Sequence, residues 1–192
     1  MKEHYDVIIV GTGAAGLYCA LSFPERIKVL MITKKEADQS DSFLAQGGIC
    51  MLRGEDDYEN YFEDTMRAGH YENNKRAVDL MIRSSNSIIR DLLDRGVRFA
   101  RNSRGELDFT REGAHSQPRI LFYEDVTGRE ITSHLLEQAR TKENIEICQY
   151  MTMVDLISED NICGGIVCMN EKDEVNDRRK FDFSPGCGLE RN

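Results

Sequence analysis

Residues 5–10, Tyr5-Asp6-Val7-Ile8-Ile9-Val10, read as one continuous β-branched run bounded by glycine, which predicts a strand buried on both faces of a parallel sheet. A short apolar helix over residues 17–23, stopped by Pro24, and a second apolar run from Lys28 to Ile32 complete a βαβ unit. From Gly54 the period becomes helical. Glu55, Asp56, Asp57, Glu59, Glu63 and Asp64 crowd around Tyr58, Tyr61, Phe62 and Met66, which predicts an amphipathic helix with a solvated acidic face and Gly69 as its cap. Val78, Met81, Ser85, Ile88, Ile89, Leu92 and Leu93 then recur at helical intervals up to Gly96 and predict a core helix. Residues 119–123 read as a strand, and residues 129–142 as a helix with Ile131, Leu135 and Ala139 on one side. Strand candidates follow at 145–150, 152–157 and 164–169, the last two joined by the polar turn 158–161. Residues 176–192 mix charges with Ser184-Pro185-Gly186, show no period and read as a tail.

Charge and composition narrow the function classes. The 192 residues carry 34 acidic and 25 basic side chains, a formal charge of −9 and a pI near 5.0, so no broad cationic face is expected for nucleic acid or anionic lipid. With 40% apolar residues the chain reads as one globular domain able to bury its own core. Nothing approaches the length of a membrane span, and no signal peptide precedes the first strand, so a cytoplasmic location is expected. The six cysteines include no CxxC pair. Cys163 and Cys168 have no histidine near them to complete a zinc set, so no metal site is expected and the thiols read as reduced apolar fillers.

Three clusters could carry chemistry. In the first, Gly11-Thr12-Gly13-Ala14-Ala15-Gly16, the opening glycine follows the first strand directly and the last lies inside the following helix. Gly11 permits the tight turn, Gly13 lets a pyrophosphate approach the backbone and Gly16 lets helix and strand pack closely, while the helix start offers unpaired amides to the diphosphate. This is a dinucleotide signature, and with the alternating elements it gives an α/β, Rossmann-like fold. The acidic residue usual near the end of the second strand is replaced by Thr33-Lys34-Lys35; Lys34 reads as a contact to the ribose or phosphate region or as a solvated loop lysine, so the motif does not choose the dinucleotide. In the second cluster, residues 40–49, small and hydroxyl side chains flank Gly47-Gly48, which suits a flat ring against backbone and equally an ordinary turn. The third cluster places Arg111, Glu112, His115, Ser116 and Arg119 in one loop, followed by residues 125–130, and reads as a binding loop or as a surface loop with ion pairs.

Taken together and in this order, the clusters resemble the flavoprotein family of L-aspartate oxidase and the succinate dehydrogenase and fumarate reductase flavoprotein subunits. The resemblance spans about residues 5–170 and rests on residues 11–16, 42–49, 111–116, 119–121 and 125–130. It implies a Rossmann-like FAD-binding domain with a parallel sheet, incomplete, plus a small additional β segment. It further implies FAD with its diphosphate at Thr12, Gly13, Ala14 and Ala15, Lys34 near the adenosine, and Val154 with its backbone at the adenine. Asp41, Ser42, Phe43, Leu44, Ala45, Gln46, Gly47 and Gly48 would follow the ribityl chain and flavin ring. Asp41 stands where the respiratory relatives attach flavin through a histidine, which implies non-covalent FAD and the oxidase branch. Glu112 matches a glutamate that faces the substrate α-ammonium in aspartate oxidases, with His115 and Gln46 as weaker substrate-binding candidates.

The implied reaction is oxidation of L-aspartate to iminoaspartate, the first step toward quinolinate and NAD, with oxygen or fumarate as acceptor and quinolinate synthase as a partner. The alternatives are a fumarate reductase or succinate dehydrogenase-like flavoprotein and a non-catalytic nucleotide-binding remnant. The family's later segments, including the capping domain and its catalytic residues, have no counterpart here. Residues 1–175 are therefore expected to form the N-terminal part of an FAD-binding domain, and residues 176–192 a disordered or frameshifted segment foreign to the family. A missing closing strand would leave a sheet edge open, and the chain alone is expected to retain FAD weakly and to lack oxidase activity.

Overall fold

The computed structural model describes residues 4–170 and the backbone of 178–183. In chain order the elements are β1 (His4–Tyr5), β2 (Val7–Val10), α1 (Ala14–Leu21), β3 (Val29–Thr33), α2 (Asp41–Leu44) and β4 (Ile49–Cys50). A 3-10 turn (Glu55–Asp57) leads into α3 (Tyr58–Ala68), α4 (Lys75–Asp94), β5 (Ile120–Leu121) and α5 (Thr127–Thr141). β6 (Ile145–Gln149), β7 (Met151–Glu159), β8 (Ile162–Asn170) and β9 (Arg178–Phe183) follow. Two compact units result, one from the residues up to Phe43 together with those from Leu135 onward, the other from Leu44–His134.

In the first unit β2, β3 and β6 form an all-parallel sheet in that order, with Val7 opposite Val29 and Val29 opposite Ile145. Central β3 is the strand covered on both faces, its residues 29–32 fully buried. β2 departs from the expectation of two-sided burial: it is an edge strand whose residues are only half-buried, with Val10 55% exposed. The apolar run that starts at Tyr5 is also broken at Asp6, whose carboxylate accepts from the Lys28 amide at 2.8 Å and anchors the start of β2, while Tyr5 pairs into a different sheet.

That second sheet has the order β1-β9-β8-β7. β7 and β8 form an antiparallel hairpin, longer than the two predicted strands, whose turn residues Asp160 and Asn161 take φ of +50° and +62°, the left-handed pair that two-residue hairpins need. The expectation of an aperiodic tail is corrected here. β9 lies between β8 and β1, antiparallel to the first and parallel to the second, because two open strand edges supply backbone partners to a stretch whose charged residues hide its period. The rest of the expected tail, residues 184–192, lies outside the described residues. Tyr5, Leu30, Ile32, Met151, Ile166 and Cys168 pack together as a core of this unit.

In the second unit α3 and α4 carry a core of Leu52, Tyr61, Met66, Val78 and Ile82, beside the antiparallel pair β4 and β5. Asn74 caps α4 by accepting from the Ala77 amide at 3.1 Å, and Gly96 ends it with a φ of +89°. Gly69 sits at the C-cap of α3 as expected. The acidic face of this region is not uniformly solvated, since Asp57 and Asp64 are buried. No helix among the described residues is long and apolar enough to cross a membrane.

Candidate functional site

The glycine-rich turn builds a crevice in the first unit. Gly11 takes a φ of +109°, open to glycine alone at low cost, and its amide donates to the Ile32 carbonyl at 2.8 Å, tying the turn to β3. A side chain at Gly16 would run into the Gly11 carbonyl oxygen and lie 3.3 Å from Ile9, so this glycine sets how closely α1 approaches β2. The first turn of α1 contains no acidic residue and its N-cap, Gly13, offers no side chain, so the amides of the helix start remain available to an anion. Thr12 is 2% exposed and its hydroxyl has no hydrogen-bond partner among the described residues, a costly arrangement unless a ligand supplies one. Gly11, Thr12, Gly13, Lys34, Asp41 and Ser42 line one crevice of about 620 Å³. Ala14, Ala15 and Gly16 belong to the adjoining first turn of α1. Residues 151–153 form another part of the crevice wall; Val154 is next in β7, half-exposed and outside the lining. Phe43, at the end of this unit, is half-buried.

The second unit holds a cavity of about 950 Å³ lined by Gly47, Gly48, Cys50, Glu112 and His115, with α3 and α4 supplying apolar wall residues such as Ala68, Met81 and Ile88. Gly48 is needed for close packing, because a Cβ there would collide with the Leu121 carbonyl and the Ile120 side chain. Gly47 faces open space. Leu44, Ala45 and Gln46 are exposed and do not line the cavity; the Ala45 carbonyl instead accepts from the Gly128 amide at 3.0 Å. Glu112 and Gly47 line the same cavity. Glu112 has no ion-pair partner among the described residues, whereas Asp64, the other carboxylate lining the cavity, is fully engaged.

What holds the Glu112 loop is a buried ionic network centred on Arg119, a side chain with no exposed surface. Its guanidinium grips Asp57 at two points, 2.6 and 3.0 Å, and donates to Asp64 at 2.7 Å. Asp64 also accepts from the amide and hydroxyl of Ser116, both at 2.6 Å, and from Arg67 at 2.7 Å. Arg67 reaches the Ala114 carbonyl as well, at 3.3 Å, so α3 clips the loop at several points. Two carboxylates around one guanidinium satisfy its donors and make burial of the charge tolerable.

A profile of the FAD binding domain family matches residues 6–184. This chain belongs to that family. The match runs past the boundary expected at residue 175. The FAD-binding domain is 41% identical over 165 residues to the L-aspartate oxidase of Clostridium perfringens, covering 86% of this chain and 37% of that protein. Over the same length it is 44% identical to the L-aspartate oxidase of Clostridium acetobutylicum, covering 86% of this chain and 38% of that one. The chain thus spans a little over a third of these curated relatives. The fold is shared with the E. coli quinol fumarate reductase FrdA structure, at a TM-score of 0.88 and 23% identity over 95% of this chain and 32% of that one. FAD is the cofactor of this family, and the crevice fits it: a buried hydroxyl without a partner, uncapped helix amides and a glycine that admits close approach are what a diphosphate uses.

Electrostatics in the FAD-binding domain differ between the two places. Around Arg119, burial works against the charge on Asp64, but the Ser116 hydroxyl and amide and the Arg119 guanidinium together hold its carboxyl well below the usual range. Burial, then the Arg119 charge, lowers the His115 imidazole, and burial pushes the Cys50 thiol up. The sequence alone did not single out Asp57, Asp64 or Cys50, and it offered Arg119 only as one of several loop guanidiniums. The usable signal was acids spaced so that Asp57 and Asp64, two helical turns apart, share the face of Tyr61, the residue over whose ring Arg119 lies at 4.9 Å.

Proposed function

We propose that this FAD-binding domain serves L-aspartate oxidation: iminoaspartate is formed, oxygen or fumarate takes the electrons, and the product passes to a quinolinate-forming partner such as quinolinate synthase in the cytoplasm, toward NAD. The observation that carries the reading is that Glu112 and Gly47 line one cavity in which Glu112 is the carboxylate without an ion-pair partner among the described residues. The relationship to L-aspartate oxidases supports it.

Bound FAD would supply the acceptor of two electrons and the α-hydrogen of the amino acid. The chain's own residues do the rest. Thr12, Gly13 and the amides of α1 would hold the diphosphate, with Lys34 toward the adenosine and Asp41 and Ser42, which line the same crevice, at the start of the ribityl chain; Val154 toward the adenine and Phe43, Leu44, Ala45 and Gln46 farther along the ribityl chain complete the proposed contacts. Gly47 and Gly48 present backbone without side chains, which suits a planar ring. Glu112 accepts from the α-ammonium and rejects dicarboxylates that lack it, and His115, which lines the same cavity, is a further substrate contact. Asp41, at the position used for covalent attachment in respiratory relatives, leaves FAD non-covalent.

Calorimetric titration of the protein with L-aspartate and with succinate, in the presence of FAD, tests this. Glu112→Gln is expected to weaken L-aspartate by about 10-fold or more, the worth of a hydrogen bond to a charged group, and to leave succinate unchanged or tighter. Equal losses for both ligands would count for the fumarate reductase-like alternative and against this role.

A further inference from the structure

The contacts of His115 fix which of its nitrogens carries the proton. Arg119 Nη1 lies 3.1 Å from His115 Nδ1, and a guanidinium can only donate, so Nδ1 is the acceptor. The remaining nitrogen, Nε2, carries the hydrogen and points at Cys50 Sγ, 3.4 Å away. Contacts at both nitrogens define the ring orientation, and the Tyr61 ring stands edge-on to it at 6.0 Å. The charged groups that face this ring are Arg119 from its own loop and Asp57 and Asp64 from α3 and the turn before it. Both acids favour a second proton on the imidazole, but each is paired with Arg119, and burial together with the Arg119 charge outweighs them.

A thiol is a weak acceptor, so the Nε2 hydrogen is cheaply exchanged for an oxygen. His115 also follows Glu112 by one tight turn, in which Gly113 has a φ of +55° and the His115 amide meets the Glu112 carbonyl at 3.3 Å. Both side chains line the same cavity. We infer that Glu112 and His115 form a single head-group subsite for an α-amino acid, in which Glu112 accepts from the α-ammonium and His115, locked as the neutral Nε2–H tautomer by Arg119, donates to the adjacent carboxylate. The Glu112 half rests on the function proposed above, and the His115 half stands on the Arg119 and Cys50 contacts. A neutral donor is the apt partner here, since a histidinium would cancel the Glu112 charge that selects the amine.

Nitrogen-15 NMR of the labelled chain reads the tautomer directly. Near neutral pH the expected pattern is a protonated Nε2 and a bare Nδ1 at His115; an Nδ1–H tautomer, or a doubly protonated ring, overturns the proposal. Addition of L-aspartate should then shift the Nε2–H resonance saturably. His115→Phe should weaken L-aspartate and succinate about 10-fold alike, with His115→Gln restoring part of the loss, whereas Glu112→Gln should act on L-aspartate alone. No shift of Nε2–H up to 50 mM L-aspartate, whether from absent binding or from binding elsewhere, overturns the subsite. An intact His115 response with no effect of Glu112→Gln would instead reject the reading of Glu112 and leave His115 as a carboxylate donor.

Discussion

The crevice of the first unit and the cavity of the second solve opposite problems with opposite materials. The crevice is made largely of backbone: a positive-φ glycine, the bare N-terminus of α1, and one buried threonine hydroxyl without a partner among the described residues. Its polar groups are unspent, so its energy becomes available when an anion arrives. Around the cavity the polar groups are already committed, with Arg119, Asp57, Asp64, Ser116 and His115 satisfying one another. That network spends its interactions on holding a loop, and Glu112 is left over to meet a ligand. One place therefore stores binding capacity at some cost in stability, and the other uses stability to fix a shape.

Breaking the network should give the largest effect. Arg119→Leu leaves Asp57 buried without a counter-charge and Asp64 with the half-exposed Arg67 alone, and the loss is expected to be about 3–5 kcal/mol by chemical denaturation, enough to unfold much of the protein at 37 °C. A loss under about 1 kcal/mol would show that water reaches these acids and that the network is not what holds the loop.

Next come the packing glycines, which occur in both places and so sharpen the contrast. Gly16→Ala and Gly48→Ala each force a methyl group into a backbone carbonyl, and each should cost about 1–3 kcal/mol in the same measurement. Gly47→Ala meets nothing within 4 Å and should stay within about 0.5 kcal/mol. If Gly47→Ala proved as costly as Gly48→Ala, the cavity would be filled by something other than a ligand.

These two regions also explain what could be read from the sequence. The crevice was legible because its parts are contiguous: residues 11–16 sit between a strand and a helix, and each glycine has a local reason. Helices α3, α4 and α5 were legible from period alone. The network was not, because Asp57 and Asp64 look like any other acids in a helix whose surface is rich in them, and only the arrival of Arg119 from 55 or more residues away buries them. The same limit applies to strands. Residues 7–10 and 29–32 are both uninterrupted apolar runs, yet the first run is an edge and the second a centre, a distinction set by sheet order rather than by hydropathy. β9 escaped because its charges obscure the alternation and its pairing partners are remote.

Acid titration separates the two places next. The Asp64 carboxyl titrates lower in the folded protein than its ordinary 3.8, so the unfolded chain takes up the proton first. Its contribution is complete above about pH 4 and is lost progressively as the pH falls toward the folded value. His115, lowered from 6.5, adds a loss of the same sign beginning below that pH. Denaturation midpoints should therefore fall on acidification, and Asp64→Asn, less stable at pH 7, should show a flatter dependence below pH 4. An unchanged slope in that variant would mean that other carboxylates carry the acid sensitivity.

The smallest stability effect is expected at the crevice, and it is the most informative one. Thr12→Val removes a buried hydroxyl that has no partner among the described residues and keeps the shape of the side chain. Stability should change by less than about 0.5 kcal/mol, or rise, because nothing is lost and an unsatisfied group is removed. FAD affinity, followed by quenching of flavin fluorescence, should fall about 5-fold, the worth of one ordinary hydrogen bond of about 1 kcal/mol. The two readings together make the contrast with Arg119, where stability carries the whole effect. If Thr12→Val destabilised the protein while leaving FAD affinity alone, the hydroxyl would be a structural group satisfied within the fold, and the crevice would be spending its polar groups in the same way as the cavity.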